Sequence, residues 1–91
     1  MEEKFLAALE ENRLKAEKLG VRIRLVEDMK QARRLLSGSR TSDGFGLLAQ
    51  KGQLKLSLEA LAIDKRFTSL FTDEEANTAL DRLLDAGYSF K

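Results

Sequence analysis

Along residues 2–19 the apolar positions Phe5, Ala8, Leu9, Ala16 and Leu19 fall on one stripe at 100° per residue, which predicts a helix. Gly20 stands where a left-handed C-terminal cap belongs. Asn12 lies inside the stripe, and Leu14 falls on the opposite face among Glu10, Glu11 and Glu17. The next six residues, VRIRLV (21–26), alternate Val21, Ile23 and Leu25 with Arg22 and Arg24. That is the period of a half-buried strand. A second helix is expected from residue 27 or 28 to 36, with Met29, Ala32 and Leu36 on one face and Ser37-Gly38 as its stop. Lys30, Arg33 and Arg34 share a different, outward arc of it.

FGLLAQ and QLKLS flank Lys51-Gly52, which predicts a β-hairpin with glycine supplying the positive φ of the turn. Ser57 is placed to cap a helix beginning at Leu58. That helix does not hold one phase. Leu58, Leu61 and Ala62 face one way, Ile63, Phe67 and Leu70 another, which predicts a break near Asp64 or burial on two sides. The last helix is the clearest: Thr72 with Glu75 makes a capping box, and Ala76, Ala79, Leu80, Leu83 and Leu84 form its apolar face. Gly87 closes it and Tyr88 is placed to pack back on Leu83.

The predicted order is α-β-α-β-β-α-α, an α+β domain whose small three-stranded sheet carries its helices mainly on one face. If residues 88–90 pair as a fourth strand, the chain from Val21 onward has the β-α-β-β-α-β order of a ferredoxin-like fold. A winged helix ranks lower, because its recognition helix would fall in SGSRTSDG, which has little helix propensity. One domain spans 1–91, divided into an N-terminal helix (1–20), a basic strand-helix-hairpin core (21–57) and a C-terminal helical pair with tail (58–91).

Composition narrows the chemistry. There is no cysteine, so disulfides, thiolate metal sites and cysteine nucleophiles are excluded. There is also no histidine, the commonest general base and metal ligand near neutral pH. Asp73, Glu74 and Glu75 cluster, but a helix N-terminus attracts carboxylates through its dipole alone. The glycines at 38, 44 and 46 follow a helix instead of opening one, so they fit no phosphate-binding fingerprint. An enzyme is not expected, nor a cofactor or metal. With charged residues at 34% of the chain and no long apolar run, a cytoplasmic protein with no membrane partner is expected.

Charge along the chain is uneven. The net charge is +1, yet residues 21–55 hold eight basic groups against three acidic, between two acidic flanks. The basic set is Arg22, Arg24, Lys30, Arg33, Arg34, Arg40, Lys51 and Lys55. Contiguous on a surface, it could follow a phosphate backbone. Phe45 is the one aromatic among them, and its alternation with Leu47 and Ala49 marks it as core, so the stacking set of a single-strand binder is missing. The heptad-like spacing of Phe5, Leu9, Asn12, Ala16 and Leu19 is under three heptads long. Leu6, Leu14 and Leu48 are candidates for an interface with a partner or a second copy. The expected function is a small non-enzymatic protein-interaction or regulatory module, self-associating, whose basic surface receives an acidic partner. Nucleic-acid binding through residues 22–55 is the alternative, and no small-molecule substrate is expected.

Overall fold

The computed structural model describes residues 2–38, 41–42 and 44–88. Five helices make the fold: α1 (Glu2–Lys18), α2 (Met29–Ser37), α3 (Phe45–Gln50), α4 (Leu58–Ala62) and α5 (Asp73–Asp85). Two 3-10 turns, Leu54–Leu56 and Thr68–Leu70, join the later ones. Among the described residues there is no strand and no sheet, so the expected α+β class, three-stranded or ferredoxin-like, is replaced by an all-helical fold. The minimal strand at 88–90 falls mostly outside the described residues.

The expected first strand is an extended segment that joins no sheet among the described residues. Val21 is fully buried and Ile23 half-buried, while Arg22 and Arg24 are exposed, so the alternation is real. It then slips: Leu25 points out at 52% exposure and Val26 turns in. Burial with period two needs only an extended backbone, not a ladder of hydrogen bonds.

The expected hairpin is α3 followed by a 3-10 turn. Lys51-Gly52 reverses the chain, but as a helix end. The Gly52 N–H donates to the Ala49 carbonyl at 3.1 Å and the Gln53 N–H to the Leu48 carbonyl at 2.8 Å, which is the bond pair of a Schellman turn. Gly52 has the positive φ (68°) that either turn would need, so the glycine does not discriminate between them. Phe45 and Leu48, three apart, are the buried residues of α3. Leu54 and Leu56 are buried with Lys55 exposed between them, an alternation made by one turn of 3-10 helix.

The same Schellman pair closes α1 and α5. Gly20 donates to Glu17 and Val21 to Ala16; Gly87 donates to Leu84 and Tyr88 to Leu83, all at 2.9–3.0 Å. The two helices also start as read. Thr72 Oγ1 accepts from the Glu75 N–H and Glu75 returns the bond to the Thr72 N–H, completing the capping box. Asp28 caps α2 by accepting from the Gln31 N–H at 2.8 Å, and Ser57 caps α4. Helix α4 stops at Ala62 and the chain turns at Asp64, which resolves the lost phase of that region.

The core falls into two clusters. The first packs helix faces around Phe5, which meets Phe67 and Phe71 edge-on at 5.3 and 5.2 Å between ring centres; Leu9, Met29, Ala32, Leu36, Leu58 and Leu61 surround them. The second gathers helix ends. Ala16, Leu48 and Leu83, whose carbonyls accept the Schellman bonds of α1, α3 and α5, are all fully buried in it with Val21, Phe45, Leu54 and Leu56.

One buried ion pair ties the two together. Glu59 on α4 is fully buried, and its carboxylate accepts from the Ser42 hydroxyl (2.6 Å), the Ser42 N–H (2.9 Å) and Arg82 Nη1 (3.1 Å). Arg82, from α5, also donates to the carbonyls of Leu35 and Gly38, at 3.2 and 2.7 Å, at the end of α2. The pair thus satisfies carbonyls that a helix end leaves without partners, and no buried side-chain polar atom is unsatisfied among the described residues.

Candidate functional site

Among the described residues, the predicted basic side chains that line a hollow are divided among three. Lys30, Arg33 and Arg34 share the exposed arc of α2 and line a shallow depression with Glu2, Asp28 and Glu75. Three cations there face three carboxylates, and Arg33 Nε is held by both Glu75 oxygens at 3.0–3.1 Å. Burial would raise the Glu75 carboxyl pKa, but the Thr72 N–H and the Arg33 guanidinium outweigh it and hold the group below its ordinary value. This depression has no net charge to offer an anion.

Arg22 and Arg24 project from the extended segment 21–26, where Arg24 joins Arg13 at the mouth of an apolar cleft. Lys51 is exposed at the C-terminal cap of α3. Arg40 lies outside the described residues.

Lys55 belongs to a different neighbourhood. It lines an open groove with Lys15, Lys18, Arg66, Asp64 and Tyr88, floored by Leu19, Leu56, Ala60 and Leu61. The three helix ends build this groove: α1 supplies Lys15, Lys18 and Leu19, the chain beyond α3 supplies Gln53 and Lys55, and the chain beyond α5 supplies Tyr88. Four cations face one carboxylate. Lys15 lies 3.6 Å from Glu11, and Arg66 is clamped on Asp64 by two bonds of 3.1 Å while stacking on Phe67. The Arg66 hydrogen bonds lower the Asp64 pKa. Lys18 and Lys55 pair with no carboxylate among the described residues.

Of the candidate interface leucines, Leu14 is 47% exposed on α1, Leu6 is half-buried against the first cluster, and Leu48 is fully buried in the second. Leu48 is therefore a core residue, not a surface one: in the hairpin it would alternate outward, whereas in α3 it lies one turn beyond Phe45.

Sequence reasoning missed Lys15, Lys18 and Arg66, because charges summed along the chain place them in acidic flanks. It also missed Glu59 and Arg82. The signal for Glu59 was a single carboxylate within LSLEALAI, an otherwise apolar run. Among the described residues no three acidic side chains are grouped so as to hold a metal ion, and no helix is long and apolar enough to cross a membrane. Comparison with protein-family models, curated proteins and solved structures gives no match.

Proposed function

We propose that the protein is a non-enzymatic interaction module whose groove between the ends of α1, α3 and α5 receives an acidic, leucine-bearing segment of a partner protein. The observation that carries this reading is the pair Lys18 and Lys55, cations with no carboxylate partner among the described residues, over an apolar floor. A phosphate backbone would use the cations and waste the floor, whereas an acidic amphipathic segment uses both. A nucleic-acid surface also wants a continuous basic stripe, and the cations of 22–55 are divided among separate places.

The test is fluorescence anisotropy with a labelled acidic peptide carrying spaced leucines, its leucine-to-serine counterpart, and a single-stranded oligonucleotide. The leucine peptide should bind best, and Lys18→Glu with Lys55→Glu should abolish its binding. If the oligonucleotide binds tighter than either peptide, with affinity falling steeply in salt, nucleic acid takes the partner's place. If nothing binds, or the charge reversals leave binding intact, the groove is not the site.

A further inference from the structure

Leu84 is the most exposed large apolar side chain among the described residues, at 54%. It shares one arc of α5 with two exposed carboxylates, Asp81 and Asp85, spaced three before it and one after. Neither carboxylate meets a cation among the described residues. The helix dipole accounts for Asp73 and Glu74 at the start of α5, but at its end the dipole favours cations, so it does not account for Asp85. Leu14 is also set among carboxylates, but there Arg13 and Lys15 already take Glu10, Glu11 and Glu17.

This face of α5 complements the cationic groove. Two unmatched carboxylates and an exposed leucine stand on one side. Two unmatched cations, Lys18 and Lys55, stand on the other, over a floor of Leu19, Leu56, Ala60 and Leu61. The two surfaces also adjoin: Tyr88 lines the groove, and the chain from Asp85 to Tyr88 can span no more than about 11 Å. Within one molecule their charges do not pair. Two adjoining, complementary halves make a self-complementary surface. Under a two-fold axis each half of one copy faces the opposite half of the other, and the contact closes at two chains.

We infer that the groove's partner is a second copy of this chain, in a two-fold pair where Asp81 and Asp85 of each copy meet Lys18 and Lys55 of the other and Leu84 seats on the floor. This rests on the proposed function, whose acidic, leucine-bearing segment it identifies as the C-terminal part of α5.

Sedimentation equilibrium of the full chain over a range of concentrations reads the mass. The native chain should approach twice the monomer mass. Lys18→Glu with Lys55→Glu, and separately Asp81→Lys with Asp85→Lys, should each give monomers, since like charges then face each other. Mixed, the two variants should form a one-to-one pair, because every groove then meets a helix face of opposite sign; restoration also certifies that both are folded. Leu84→Ser should weaken the native pair about tenfold or more. The Asp81→Lys, Asp85→Lys monomer keeps its groove vacant, so it should bind the acidic leucine peptide at least as well as the native chain. The inference is overturned if the native chain stays monomeric up to millimolar concentration, and peptide binding would then leave the proposed function standing. If the peptide also fails to bind, that reading falls with it. Pairing that survives either charge reversal, a mixture that stays monomeric, or mass that keeps growing beyond two copies overturns the inference equally.

Discussion

The two halves of the core are made in different ways. In the first cluster, faces of α1, α2, α4 and α5 come together, and Phe67 and Phe71, from the turns between α4 and α5, lock edge-on against Phe5. In the second, helix ends meet, and the residues buried are Ala16, Leu48 and Leu83 near the C-terminal ends of α1, α3 and α5 and Phe45 at the start of α3, together with an extended segment and a 3-10 turn. Face packing repeats every three or four residues and so prints itself on the sequence. End packing repeats nothing. Each contribution is one or two residues long and its spacing is set by a cap.

That difference explains what was legible. Helices α1, α2 and α5, the caps at Ser57 and Thr72 and the stops at Gly20 and Gly87 were all readable, because helix faces and capping chemistry are local. Both mistaken strand regions, 21–26 and 45–57, feed the second cluster. Val21 with Ile23, and Leu54 with Leu56, alternate for reasons other than a sheet. The candidate site was legible only residue by residue. Every basic side chain of 22–55 that the structure describes is exposed, but which cations share a groove depends on where helices end.

The largest way to break the comparison is to cut the tie between the halves. Arg82→Leu leaves the Glu59 carboxylate buried without its cation and should cost about 3–5 kcal/mol in urea denaturation. That is a large part of the roughly 5–15 kcal/mol of a typical domain. Replacing both partners with apolar residues should cost less than Arg82→Leu alone. If the double variant is worse, the pair's other hydrogen bonds matter more than its charge.

Next come truncations of the two clusters. Phe5→Ala removes the centre of an edge-packed aromatic set and should cost about 3–5 kcal/mol; Leu48→Ala should cost about 2–5 kcal/mol. The useful quantity is their coupling. Additive losses in the double variant would mean the clusters unfold as one cooperative body without direct communication. A clear departure from additivity would show that the cleft between them transmits strain.

Two glycines two residues apart, one with a positive φ and one without, give smaller, opposite effects. Gly44 sits at φ 76°, and a Cβ there would come within 2.8 Å of Val21 Cγ1 and 2.9 Å of Ile23 Cγ1, so Gly44→Ala should destabilise by about 1–3 kcal/mol. Gly46 lies inside α3 with open space around it, so Gly46→Ala should stabilise by about 0.4–1 kcal/mol. A loss at Gly46 on thermal melting would count against the helical form of α3.

The smallest effect is electrostatic. The Glu75 carboxyl has a folded pKa below its ordinary value of 4.5, so its contribution is present above that value and fades as pH falls through and below it. Arg33 is nearly half exposed, so Arg33→Met should cost no more than about 1 kcal/mol at neutral pH. The difference from the native chain should shrink in acid melts below the ordinary carboxylate range. A difference independent of pH would assign the loss to packing instead.

The convergence of three helix ends in the second cluster also fixes how the molecule breathes. Helices usually loosen at both tips, and their terminal amides trade hydrogen for deuterium first. Here the C-terminal tips of α1, α3 and α5 are anchored by buried Ala16, Leu48 and Leu83, with the amides of Val21, Gln53 and Tyr88 bonded back to them. In α1 above all, exchange is expected to start in the exposed turn of Glu2 and Glu3, ahead of the buried Phe5, and to reach the C-terminal turn last, which amide-resolved hydrogen exchange would check.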